Sequence, residues 1–282
     1  MLQSRNFPVS PDLAPFIRRH YVFAADLPAD FEILDSLLSE TAFVRLRLRG
    51  DWAAQTNPGE WSGGGDAMLF GANTKPFPVR MRGAFTVIGF SIKPGGWNAL
   101  FGESAADYTD KMMPLANVWG EIATQMYDAV AAAPDDAAGV AAMEVAVRAQ
   151  LKVIGKPRED KLITRYESIA RLDSTAKVED VAALLGLSVR QVERRCLHGF
   201  GVSPKTIFRR SRFLDMAAAM RGLSKPNEVQ LALLRYFDQS HLNREFHTFA
   251  GMTPGKFRAA DTPLFTAGLQ LRNAGDFLFK PD

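Results

Sequence analysis

Two stretches of the C-terminal third match each other at a constant offset of 50 residues, and this repeat limits the fold more than any other feature. The first holds Val181-Ala182, Leu187, Val192, Arg194, Cys196, Gly201 and Ser203-Pro204. The second holds Leu231-Ala232, Phe237, Leu242, Arg244, Phe246, Gly251 and Thr253-Pro254. Apolar residues meet apolar residues, arginine meets arginine, glycine meets glycine, and a Ser/Thr-Pro pair closes both. A register kept over that many positions requires one supersecondary unit used twice.

Each unit reads as two short helices joined by a tight turn. Val178, Val181, Ala182 and Leu185 fall at i, i+3, i+4 and i+7, one apolar stripe on a short helix. Gly186 supplies the positive φ of a sharp turn. Ser188 stands three residues before Gln191, the spacing of a capping box, so a second helix starts at Val189. Its inward residues are Val192, Cys196 and Phe200; its outward ones are Arg190, Gln191, Glu193, Arg194 and Arg195. Gly201 ends it. Ser203 and Pro204 open the next helix, which runs to about Met220 and carries Lys205, Arg209, Arg210 and Arg212 as basic residues. In the second unit a helix over 229–236 leads to Asp238, a candidate N-cap. The helix after it turns Gln239, Ser240, His241, Asn243 and Arg244 outward and Leu242, Phe246 and Phe249 inward. Thr253-Pro254 opens a last short helix through Arg258.

A short helix held out from a compact support fits the major groove of DNA. Arginine pairs with guanine through two hydrogen bonds, Asn or Gln with adenine, and a carboxylate such as that of Glu193 accepts from cytosine. Lys205 and Arg209, on a neighbouring helix, are placed to neutralise phosphate. Two reading helices on one rigid body reach successive major grooves about 34 Å apart. Charge follows the same division. Residues 158–262 hold 18 Lys+Arg against 12 Asp+Glu, whereas the rest of the chain holds 16 against 19. A basic module joined to a slightly acidic one suits a polyanion-binding protein.

The N-terminal part reads differently. Residues 1–115 show strands and turns. Val44, Leu46 and Leu48 alternate with Arg45, Arg47 and Arg49, the period of a half-buried strand whose arginine face is solvated; an anionic effector is the other use of that face. Residues 85–92 form an uncharged β-rich run, ended by Lys93-Pro-Gly-Gly96, with a short helix following near 97–101. Residues 118–133 and 138–154 have helical spacing around Pro134-Asp-Asp136 and predict a helix pair, and 155–160 is a linker. Trp52, Trp61, Trp97 and Trp119 are read as core, with lining of a ligand pocket as the alternative. The tail, with Leu264, Phe265, Leu269, Phe277 and Phe279, packs back on one of the two domains.

Several function classes find no support. The chain has one cysteine, Cys196, which fills core space, and no CxxC pair. It has no HExxH, Walker A or GxSxG motif, and His20 is the only histidine before His198. No enzyme activity, metal or cofactor is expected. No signal segment or transmembrane run is found, so a cytoplasmic protein is expected.

The residues from Arg165 to Arg258 resemble the AraC/XylS family of bacterial transcription regulators. The most specific match is Tyr236-Phe-Asp-Gln-Ser-His-Leu-Asn-Arg-Glu-Phe246 followed by Gly251-Met-Thr-Pro-Gly255. Leu187-Ser-Val-Arg-Gln-Val-Glu-Arg194 and Gly201-Val-Ser-Pro-Lys205 are similar to the family's first reading helix. Cys196 stands where the family has Phe, and Tyr236 where Gly is common. The resemblance implies base or backbone contacts from Arg190, Glu193 and Arg194 in one groove, and from Gln239, Ser240, His241, Asn243 and Arg244 in the next. It also implies RNA polymerase as a partner, recruited for activation or blocked, and it makes a homodimer plausible.

The expectation is an α+β protein: an N-terminal mixed β-rich domain with a terminal helix pair (1–155) that senses an effector or dimerises, and a C-terminal all-α domain with two helix-turn-helix units (165–260) that binds double-stranded DNA. A helical protein-interaction adaptor with a small-molecule-binding N-terminal domain is the alternative.

Overall fold

The computed structural model describes residues 3–57, 59–155, 157–224 and 239–275. The helix expected over 229–236, the Asp238 cap, Phe277 and Phe279 lie outside the described residues.

The N-terminal part is an antiparallel sheet of eight strands: β1 (Gln3–Phe7), β2 (Ile17–Ala25), β3 (Glu32–Leu37), β4 (Phe43–Asn57), β5 (Glu60–Gly63), β6 (Ala67–Phe70), β7 (Phe77–Ile92) and β8 (Met112–Pro114). They run in the order β1-β2-β7-β4-β6-β8, with β3 added to β7 and β5 to β4. The long strands β4 and β7 form the spine. Their register slips on either side of Arg49, where Gly50 takes φ +86° and a Cβ would come within 2.4 Å of the Ala84 carbonyl oxygen. Such bulges bend a strand, and here they let one strand serve two parts of the sheet.

The two faces of the sheet are buried by different partners. One packs Val44, Leu46, Ile88 and Phe90 against α1 (Trp97–Phe101), α2 (Ala116–Trp119), α3 (Glu121–Ala131) and α4 (Asp136–Ile154). The α3–α4 pair is the helix pair of the sequence, and Asp135 caps α4 by accepting from the Ala138 amide at 2.8 Å. The other face gathers Tyr21, Phe23, Phe43, Trp52, Phe70, Phe77 and Phe85. Trp52, Trp97 and Trp119 are core residues, while Trp61 is partly exposed with the Arg80 guanidinium 5.0 Å from its ring.

The expectation of a solvated arginine face on β4 holds at Arg49, which is exposed, and is overturned at Arg45. Arg45 is only 5 % exposed and lies 5.1–5.8 Å from the rings of Phe43, Phe70 and Tyr21. Arg47 pairs with Asp66 at 3.1 Å, and Arg49 with Asp26 at 2.8 Å. The alternation in the sequence reports the pleat correctly, but around Arg45 the second face is covered by protein rather than water.

The helical region comprises α5 (Lys161–Leu172), α6 (Val178–Leu184), α7 (Val189–Phe200), α8 (Pro204–Met220), α9 (Gln239–Ala250), α10 (Pro254–Ala259) and α11 (Pro263–Gly275). Two small cores hold it. Tyr166, Val181, Ala182, Val192, Cys196 and Phe208 form the first; Phe213, Phe246, Phe249, Phe257, Phe265 and Leu269 form the second. The tail helix α11 belongs to both parts of the molecule. Phe265 and Leu269 enter the second helical core, whereas Leu264 and Ala267 cover the aromatic face of the sheet. Asp35 of β3 caps it by accepting from the amides of Leu264 and Phe265 at 2.7 and 3.1 Å.

Helices and sheet are joined by buried polar contacts. Arg210, expected among the basic residues of α8, is 1 % exposed and turns inward. Its guanidinium donates to the backbone carbonyls of Ser39, Glu40 and Asn73 at 3.3, 2.5 and 2.5 Å. Glu40 takes Arg272 at 2.9 Å and Arg171 at 3.4 Å, and Arg18 pairs with Glu167. At the far end of α7, Gly199 and Gly201 let the helix touch the sheet domain. A Cβ on Gly199 would stand 2.7 Å from the Pro94 carbonyl oxygen, and one on Gly201 2.3 Å from Thr109 Oγ1. The Thr109 hydroxyl donates to the Gly201 carbonyl at 2.8 Å.

Candidate nucleic-acid interface

The first unit is built as its residues dictate. Ser188 and Gln191 form a reciprocal capping box: Ser188 Oγ accepts from the Gln191 amide, and Gln191 Oε1 accepts from the Ser188 amide at 2.8 Å. Gly186 (φ +66°) makes the turn and Gly201 (φ +79°) the C-cap, both in the left-handed region. Val192, Cys196 and Phe200 are buried beneath α7, which leaves Arg190, Gln191, Glu193 and Arg194 exposed. Arg190, Glu193 and Arg194 are spaced i, i+3, i+4 and so share one helix face. Gln191 is exposed but occupied, because its carboxamide oxygen is spent on the cap. Arg195 is drawn off to Asp160 at 2.5 Å, and His198 meets Asn98 Oδ1 at 3.0 Å.

The second unit keeps the same arrangement where it is described. Phe246 and Phe249 are buried and Leu242 partly so, while Gln239, Ser240 and Arg244 are exposed. His241 and Asn243 are half-buried. The Gln239 amide donates to Asn243 Oδ1 at 3.5 Å, and His241 Nε2 lies 3.8 Å from Glu245 Oε1. Gly251 (φ +69°) ends α9, and Thr253 caps α10 by accepting from the Lys256 amide.

A residue the sequence reading passed over ties the units together. Glu245, 3 % exposed, accepts from Arg209 Nε at 3.2 Å and Nη2 at 2.6 Å. Arg209 also lies 5.6 Å from the Phe249 ring. Its charge clamps α8 against α9, a partner that the basic run of α8 does not disclose in the sequence. Lys205, the other candidate phosphate contact, is exposed. The signal for Glu245 was present, since it sits one position before Phe246 on the inward side of α9, but an acidic residue beside Arg244 reads as surface.

Between the units runs an open groove of about 980 Å³. Val189 and Glu193 of α7 line one side, Lys205, Arg209 and Arg212 of α8 the floor, and His241, Arg244 and Thr248 of α9 the other. With Lys177 also in the lining, the basic residues of the groove outnumber Glu179, Glu193 and Glu245. Arg244 thus lines a basic channel together with Lys205, Arg209 and Arg212 of the helix that connects the units, and α7 reaches it through Val189 and Glu193. A second open surface joins Arg190, Glu193, Arg194 and Arg195 to Ser104 of the sheet domain. Among the described residues there is no cluster of His, Cys, Asp and Glu suited to a metal ion. Burial pushes the Cys196 thiol well above its ordinary range, which suits a core residue rather than a reactive one.

Comparison with known proteins gives two domain matches. Residues 181–260 match a helix-turn-helix domain, and residues 5–114 match a domain of unknown function (DUF6597). No curated protein matches the chain. Among solved structures, it is similar to ToxT from Vibrio cholerae at 10 % identity, covering 92 % of this chain and 98 % of that one, with a TM-score of 0.46. A ToxT structure with an unsaturated fatty acid bound gives 12 % identity, 85 % and 94 % coverage and a TM-score of 0.46. The AraC-like transcriptional activator CuxR gives 14 % identity, 76 % and 86 % coverage and a TM-score of 0.26. These likenesses are too loose to carry an argument about this chain. The domain matches and the repeat geometry together identify the C-terminal part as a DNA-binding helix-turn-helix domain of the AraC type, standing behind an N-terminal domain of unknown function, the make-up of a transcription regulator.

Proposed function

We propose that the chain binds a specific DNA sequence by setting α7 and α9 in successive major grooves of one duplex. The observation that carries this reading is the equivalence of Arg194 and Arg244. They stand at the same position of two repeats and both are exposed, Arg244 on the basic channel and Arg194 on the open surface that shares Glu193 with it. Arg190, Glu193 and Arg194 read one groove; Gln239, Ser240, His241, Asn243 and Arg244 read the next; Lys205 rests on the intervening phosphates. The domain of residues 1–155 senses a small molecule or pairs with a second copy, and bound protein recruits or blocks RNA polymerase in the cytoplasm. On this reading the protein is a regulator and not an enzyme. Duplex binding measured between 50 and 200 mM salt tests it. Affinity for a selected sequence falls steeply with salt, as phosphate neutralisation requires, yet stays above that for scrambled DNA at every salt concentration. Equal affinity for both sequences overturns it.

A further inference from the structure

The two helix-turn-helix units do not share a core. Tyr166, Val192, Cys196 and Phe208 belong to one cluster and Phe213, Phe246, Phe249 and Phe265 to another, with α8 running through both. An open groove of about 980 Å³ parts α7 from α9. What both units rest on is the sheet domain. The first is gripped at the C-terminal half of α7, where Gly199 and Gly201 pack on Pro94 and Thr109 and the Leu197 carbonyl accepts from Ser104 Oγ at 3.3 Å. The second is held through α11, whose Leu264 and Ala267 lie on the aromatic face of the sheet. Pro76 adds a contact at the end of α9, 3.4 Å from where a Cβ on Gly251 would stand. One side chain of the sheet domain holds both units. Glu40 pairs with Arg171 of α5, which packs in the first core, at 3.4 Å, and with Arg272 of α11 at 2.9 Å. Arg18 and Arg19, neighbours on β2, divide in the same way, to Glu167 of α5 and to the Leu271 carbonyl of α11.

These grips leave the reading surface open. Arg190, Glu193 and Arg194 lie toward the N-terminal end of α7 and stay exposed, and that is the end a reading helix puts into the groove. We propose that the sheet domain sets the spacing between the two base blocks that the protein accepts, with Gly199 and Glu40 as positioning residues. Moving one block by one base pair shifts it by about 3.4 Å along the duplex and turns it by about 35° around the axis. A rigid pair of reading helices cannot follow both changes and so accepts one spacing. Two cores strung on one helix are free to twist against each other. Bracing each of them on the same close-packed sheet domain removes that freedom. The inference rests on the reading of α7 and α9 as the base-contacting helices, and it gives the N-terminal domain a part in DNA specificity that needs no ligand.

The test selects the two blocks from a random pool with the full-length wild type, then measures affinity for duplexes carrying them at the selected spacing and one base pair closer or farther. The wild type binds each shifted duplex at least tenfold more weakly. In Gly199→Ala and Glu40→Gln that penalty falls to about threefold or less, while both blocks keep their sequence. Gly199→Ala suits the interior of α7, since alanine favours a helix, but its Cβ would stand 2.7 Å from the Pro94 carbonyl oxygen and so forces α7 off the sheet domain. Val130→Ala, which opens a cavity in the helix-covered core of the sheet domain, lowers the melting temperature and keeps the tenfold penalty, so lost stability alone does not relax the spacing. A penalty retained in Gly199→Ala or Glu40→Gln, lost in Val130→Ala, or absent from the wild type overturns the proposal and leaves the two-block reading standing. A wild type that enriches no pair of blocks overturns both.

Discussion

Arg209 Nη2 lies 2.6 Å from Glu245 Oε1, so a cation on the helix linking the two units is held by a buried carboxylate on α9. This separates two residues that the sequence alone treats alike. Removing Arg209 strands the Glu245 charge, and because Arg209 itself is 41 % exposed the cost falls between that of an exposed pair and that of a buried one, about 1–2 kcal/mol. Arg209→Ala should lower stability to urea by that amount. Lys205→Ala should leave stability unchanged and reduce the slope of log affinity against log salt by about 1.

Gln191 is expected to act through the cap. With its carboxamide oxygen on the Ser188 amide, it cannot also make the paired contact that reads adenine. Gln191→Glu keeps the capping box, so the preferred DNA sequence should stay the same while all duplexes bind more weakly through added repulsion. A changed preference at one base position contradicts the assignment.

Glu40 gives the acid dependence. Burial pushes its carboxyl up, but Arg272, Arg171 and Arg210 outweigh burial and hold it at about 2, below the ordinary 4.5. A carboxylate depressed in the folded state contributes stability above its unfolded value and loses it as pH falls through the folded one. The contribution is about 3 kcal/mol at neutral pH. The stability difference between wild type and Glu40→Gln should therefore be constant above about pH 5 and shrink steadily towards pH 2. A difference that does not change over that window contradicts it.

Two glycines with the same backbone conformation make a matched pair. Gly186 has φ +66° with nothing within 4 Å of a would-be Cβ, whereas at Gly201, φ +79°, a Cβ meets Thr109 and Ala105 at 2.3 and 2.7 Å. Gly186→Ala should cost only the left-handed strain, about 1 kcal/mol. Gly201→Ala should cost at least about twice that, because the contact between α7 and the sheet domain must open as well. Chemical denaturation of both variants measures the difference.

The helical units were legible because their signals are local. Ser188 with Gln191, Gly201, Ser203-Pro204 and Thr253-Pro254 each act within one turn of chain, and the structure uses every one. The alternation on β4 was equally local, and the strand is there. What that alternation could not report is the cover over Arg45, since α11 reaches it from more than 200 residues away. Arg210 was illegible for the same reason. Among Arg209 and Arg212 it reads as one more basic residue, and only the fold brings Ser39, Glu40 and Asn73 to it. Of the candidate DNA-reading residues, the exposed ones were found by helical period. The committed ones, Gln191 and Arg209, were not told apart because their partners are a backbone amide and a buried acid on another helix.

The most direct test is selection of bound duplexes from a random pool by the wild-type protein and by Arg194→Ala and Arg244→Ala. The wild type should enrich two short conserved blocks about one helical turn apart. Arg194→Ala should lose preference within one block and Arg244→Ala within the other, each at about 1–3 kcal/mol for the affected position. Enrichment of the same sequence by all three proteins, with equal affinity, would contradict the placement of α7 and α9 in the DNA.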